Sequence, residues 1–179
     1  EICFNIKNII KKRNSGEIDL QDVFSVPEYQ VLSLFFDIFG YFRFVEGIET
    51  MKNLLEEDIN GENLNDEITI HIFKALIKIE YPIVIDLSSF LTHENWVIRS
   101  QAARFLGVVK DKKYINLLVD LMEDSNWWVR YYSGLSLYNM GKEKLLEEII
   151  KDNSRGKDMS KYILEKNKLL SQAAGDYNG

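Results

Sequence analysis

A chain of 179 residues with 46% apolar and 12% aromatic side chains has enough hydrophobic surface for one large core or two small ones, which excludes a disordered chain. Its formal net charge of -6 weighs against any binding mode built on neutralising phosphates or an anionic bilayer, so nucleic acid is not expected as a partner. One cysteine, Cys3, and two histidines exclude an internal disulfide and offer no metal cluster; the expectation is no metal, no cofactor and a reducing, cytoplasmic setting.

Only two prolines and ten glycines interrupt the chain, and apolar residues recur at helical spacing almost throughout, which predicts an all-α protein. From the start, "ICFNIKNIIKKR" pairs with the strongly apolar "PEYQVLSLFFDIFGYF" that begins at Pro27. That second segment is broken by Asp37, Gly40 and Arg43 before it reaches the 18 uninterrupted apolar residues of a membrane span, so no direct membrane insertion is expected. Next come "FVEGIETMKNLLEED" from Phe44 and "EITIHIFKALIKIEYP" from Glu67, the latter stopped by Pro82. In "KYINLLVDLME", Tyr114, Leu117, Leu118, Leu121 and Met122 form one stripe, and the helix after it ends at Gly141, where a left-handed cap costs no strain. The reading is an α-solenoid of about five stacked antiparallel helix pairs: 2–13/27–40, 45–57/65–80, 83–92/97–109, 113–123/128–140 and 143–151/155–170. Residues 1–170 form one domain in this reading, and 171–179 a flexible tail.

The pairs repeat. "HENWVIRSQAARFL" from His93 returns 31 residues later as "DSNWWVRYYSGLSL", with Asn95 matched by Asn126, Trp96 by Trp127, Arg99 by Arg130 and Leu106 by Leu137. A turn carboxylate such as Asp124 suits a helix start, and an arginine one turn in, such as Arg99 or Arg130, has the reach to bridge to a neighbouring repeat. Ala102 and Ala103, aligned with Ser133 and Gly134, keep the second helix of each pair thin enough for close packing.

These residues resemble the HEAT-repeat family in its short bacterial form, the form found in bilin lyases, where an acid in the turn precedes an arginine by six positions as Asp124 precedes Arg130. His93 stands where the preceding copy would carry that acid. The tail "NSRGKDMSKYILE" resembles the closing helix of bacterial HEAT proteins, some of which are membrane-anchored and encoded beside glycosyltransferases. The resemblance therefore implies a glycosyltransferase as partner and a membrane tether upstream of Glu1.

No phosphate loop, HExxH pair or GxSxG elbow is present, so no catalytic residue is assigned and the chain reads as a non-catalytic scaffold that binds a protein partner. Trp128, Tyr131, Trp127 and Trp96 are the candidate contacts, with Arg130 and Lys142 as cationic neighbours. Trp96 and Trp127 obey the period and also suit a covering role over the apolar end of each pair, in which case Trp127→Ala would cost roughly 3–5 kcal/mol. Arg99, Asp124 and Arg130 are assigned to a structural ladder. The alternative is a DNA-glycosylase-like repeat protein, which would need Trp127, Trp128 and Asp124 to line a basic cleft.

Overall fold

The structure is a computed structural model that describes residues 28–59, 64–81 and 83–176. The helix expected at 2–13 lies outside the described residues. Among the described residues every regular element is helical, and they fall into two compact units divided between Ser89 and Phe90.

The first unit contains α1 (Glu28–Tyr41), α2 (Ile48–Glu57) and α3 (Asp66–Ile79). Its core gathers Phe36 from α1, Met51, Leu54 and Leu55 from α2, and Ile68, Ile72, Phe73 and Leu76 from α3, all essentially inaccessible to solvent. Gly40 lets α1 lie directly on α3, for a Cβ there would stand 2.8 Å from the Ala75 Cα. Asn65 caps α3 by accepting from the Glu67 N–H at 2.8 Å. Near the same contact His71 Nδ1 lies 2.9 Å from Asp37 Oδ1 without hydrogen-bond alignment, and Nε2 lies 3.4 Å from Glu67.

The 83–92 segment departs from the expected helix. Only Ser88–Leu91 (α4) is helical, and residues 83–87 run without regular structure, with Ile83 and Ile85 buried while Val84 between them is 88% exposed. Three consecutive β-branched residues lose side-chain freedom in a helix and favour this alternation. The helix begins only where Asp86 supplies a cap, accepting from the Ser88 N–H at 3.0 Å and the Ser88 hydroxyl at 2.8 Å.

Beyond α4 the second unit contains α5 (Trp96–Val109), α6 (Ile115–Leu121), α7 (Trp127–Asn139), α8 (Glu143–Lys151) and α9 (Lys157–Asp176). α6 packs on α7 and α8 on α9, and α7 lies alongside both α5 and α9. The expected thin faces explain how closely these helices meet. A Cβ on Gly107 would stand 2.9 Å from Ser136 Oγ, and one on Gly134 would stand 3.0 Å from Ile163 Cγ1. The Ser136 hydroxyl also donates to the Ala103 carbonyl at 2.6 Å, tying α7 to α5. α7 is followed by Gly141 at φ +70, whereas Lys110 fills the left-handed position after α5 at φ +57. α9 runs to Asp176, beyond the stop expected at 170; Gln172 and Ala173 are good helix formers, and the Ser171 hydroxyl donates back to the Asn167 carbonyl at 2.9 Å.

Candidate functional site

The helix-start edge of the second unit is built from the repeated turn. Asn95 and Asn126 are the N-caps of α5 and α7: Asn95 Oδ1 accepts from the Val97 N–H at 2.9 Å, and Asn126 Oδ1 from the Trp128 N–H at 2.9 Å. One residue pair earlier, Asp124 Oδ1 accepts from the Asn126 N–H at 2.8 Å, and His93 Nδ1 accepts from the Asn95 N–H at 3.1 Å. His93 thus replaces the acid with a nitrogen acceptor of equal reach. Because each cap fixes the first helical residue, it sets Trp96 and Trp127 at the same point of successive repeats.

Arg99 and Arg130 are fastened to these turns in the same manner. Arg99 Nη1 donates to the His93 and Glu94 carbonyls at 2.7 and 2.8 Å, and Arg130 Nη1 to the Asp124 and Ser125 carbonyls at 2.7 and 3.1 Å. The remaining edge of Arg99 grips the next turn, with Nε on Asp124 Oδ2 at 2.9 Å and Nη2 on Asp124 Oδ1 at 3.0 Å. Burial pushes the Asp124 carboxyl up, but the Arg99 hydrogen bonds, the Asn126 N–H and the Arg99 charge outweigh it and hold the group below the ordinary carboxylate range. The following link between turns uses other chemistry: the Glu123 carboxylate accepts from the Gly156 N–H at 2.6 Å, just ahead of α9.

The tryptophans stand on stacked tyrosines. Trp127 lies parallel to Tyr131 with ring centroids 5.1 Å apart, and Trp128 is stacked at 6.0 Å on Tyr132, one turn along α7 in each case. The two indoles meet edge to face at 4.9 Å, and Tyr162 of α9 closes on Trp127 at 5.9 Å. Lys166 donates to the Tyr131 hydroxyl at 2.6 Å and lies over its ring, which holds the ammonium above the usual lysine range; Arg104 lies over Tyr132. Trp127 and Trp128 are 39% and 47% exposed, while Tyr131 is only 9% exposed and forms the layer beneath them. Trp96 is 41% exposed but makes no ring contact among the described residues. Beside Tyr162, the residues Glu165, Lys166, Leu169, Leu170 and Ala173 line a shallow groove along α9.

Tyr132, Tyr162, Lys166 and Arg104 were not legible as site residues. The four-residue spacing of Trp128 and Tyr132 is a usable signal, whereas Tyr162 and Lys166 reach the site only through the packing of α9. Asp124 is not open to a substrate: its side chain is 10% exposed and both oxygens are engaged by Arg99, which removes the carboxylate that the glycosylase-like alternative requires. Among the described residues, no group of three or more His, Cys, Asp and Glu is arranged to hold a metal ion, and no helix is long and apolar enough to cross a membrane.

Comparison with known proteins gives one finding. The family of HEAT repeats matches residues 84–157, a segment that runs from the approach to α4 through the turn before α9 and includes both tryptophan-bearing turns. Neither the curated proteins nor the solved structures yield a match. On the segment that carries the repeated caps, arginines and thin helices, residues 84–157, the sequence matches the family of HEAT repeats.

Proposed function

We propose that the protein is a non-catalytic scaffold whose second unit holds another protein at the edge formed by Trp127 and Trp128. The observation that carries this reading is the support beneath the indoles. Each is held by a stacked tyrosine ring one helical turn away, yet keeps roughly two-fifths or more of its surface in water. Rigid, partly exposed tryptophans flanked by Arg and Tyr are the residue types in which binding energy concentrates, because they bury a large area at little entropic cost. HEAT repeats commonly serve protein–protein interaction, which agrees with this use of the edge. A glycosyltransferase as the partner, and a membrane tether ahead of Glu1, are supported by the sequence resemblance of residues 153–165 alone.

The test is a pull-down from native lysate with the parent chain and with Trp128→Ala, read beside their melting curves. Recovery of a protein by the parent, and its loss with a variant that melts like the parent, is the expected result. Retention by the folded variant would remove Trp128 from the contact.

A further inference from the structure

Arg130 is the open end of the arginine ladder. Its Nη1 is tied to the two turn carbonyls just as Arg99 Nη1 is tied one repeat earlier, so the opposite edge of its guanidinium, Nε with Nη2, is pre-set in the orientation with which Arg99 clasps a carboxylate. That edge should meet the turn before α9. The turn, Asp152–Gly156, places Ser154 or Arg155 at the position that Asp124 fills for Arg99, and Arg130 pairs with no carboxylate among the described residues. The link that Arg99 and Asp124 make between neighbouring turns is made here by Glu123 and the Gly156 amide, which leaves the guanidinium unneeded for stacking.

We propose that Arg130 binds a carboxylate of the protein partner, taking an acidic segment whose apolar side chains rest on Trp127 and Trp128. The internal precedent argues for this occupant, since the same fork one repeat earlier holds an aspartate through two near-parallel hydrogen bonds. Charge complementarity argues for it as well. Although the whole chain is acidic, residues 90–179 carry 14 Lys and Arg against 12 Asp and Glu, a net charge of +2, and residues 1–89 carry 8 against 16, a net charge of -8. Arg155 and Lys161 add cations near the start of α9, each with only a long contact of 3.9 Å to an acid. Trp127 shares with Arg130 the α7 face that packs on α9, so an anchor on the indole and a carboxylate on the guanidinium lie one helical turn apart. This inference rests on the docking reading above and names the chemistry of its partner.

The probes are a blocked peptide alternating Glu and Leu, the same peptide with Gln for Glu, and an oligothymidylate of equal length. Each is titrated against the full chain while the Nε–Hε resonance of Arg130 and tryptophan fluorescence are followed. The acidic peptide is expected to shift the Arg130 resonance and to bind about tenfold or more tightly than the Gln peptide, as one charge-assisted hydrogen-bonded pair warrants. Arg130→Lys, which keeps the charge and loses the fork, should remove most of that difference. Equal binding of the two peptides, or an Arg130 resonance that the acidic peptide leaves unmoved, would overturn the site without needing any variant to fold. Tighter binding of the oligothymidylate than of the acidic peptide would overturn the choice of occupant. If the Gln peptide binds as tightly as the Glu peptide and Trp128→Ala abolishes both, the Arg130 site fails while the docking reading stands.

Discussion

At the scale of single residues, exposure decides what the tryptophans are for. A buried indole would cost roughly 3–5 kcal/mol on truncation to alanine, but Trp127 keeps 39% of its surface in water and contributes chiefly its stack on Tyr131 and its edge contact with Tyr162. Trp127→Ala should therefore cost about 2 kcal/mol, and Trp128→Ala about 1 kcal/mol or less, both measured by urea unfolding. A loss above about 4 kcal/mol for Trp127→Ala would return it to the core. The Arg99–Asp124 pair gives a pH signature. Since the folded carboxyl titrates below its unfolded value, its stabilisation is complete above the ordinary aspartate pKa of about 3.9 and is lost as pH falls through the depressed folded value. Arg99→Gln should destabilise the chain by about 1–3 kcal/mol at pH 7, and the gap between parent and variant should shrink in acid. A gap that stays constant down to pH 2 would mean that the pair contributes nothing.

At the scale of elements, the caps and small residues decide where helices stop and how near they come. Lys110 occupies a left-handed position that Gly141 fills one repeat later, and a side chain there carries strain that glycine lacks. Lys110→Gly should stabilise the protein by about 0.5–1 kcal/mol in thermal melts, and a lower melting temperature would show that the lysine side chain contributes more than its strain costs. Most helices were legible because their apolar stripes and terminators agree: α3, α5, α7 and α8 begin and end within a residue of the positions read from spacing. The segment at 83–92 was not, since its apolar content suits either a helix or an extended run and only the β-branched sequence Ile83–Ile85 decides between them. Within the site, the ladder residues were legible from the 31-residue period. The contact of Arg99 with the next turn's acid, and the absence of such an acid for Arg130 among the described residues, depend on how the helix pairs stack, which the period does not encode.

At the scale of the whole molecule, formal net charge conceals a division. The acidic charge that weighs against nucleic acid lies in residues 1–89, at -8, whereas residues 90–179, which bear the tryptophans, are net +2. Nucleic acid is still not expected at the tryptophan edge, because several cations of that half are already engaged. Arg99 is locked on Asp124, Arg130 Nη1 on its own turn, Arg104 over Tyr132, Lys113 over Tyr114, and Lys166 on Tyr131. Strong binding to a duplex needs six or more cations facing phosphates together, each adding about 0.9 to the steepness of affinity against salt on logarithmic axes. The cations at the start of α9, Arg155 and Lys161 among them, are too few to give more than a shallow dependence. The full chain is therefore expected to bind a labelled duplex only weakly near physiological salt, with a slope no steeper than about -2, when followed by fluorescence anisotropy across a salt series. Submicromolar affinity with a slope steeper than about -4 would show that the basic half works as a nucleic-acid surface, and would displace the protein-docking reading.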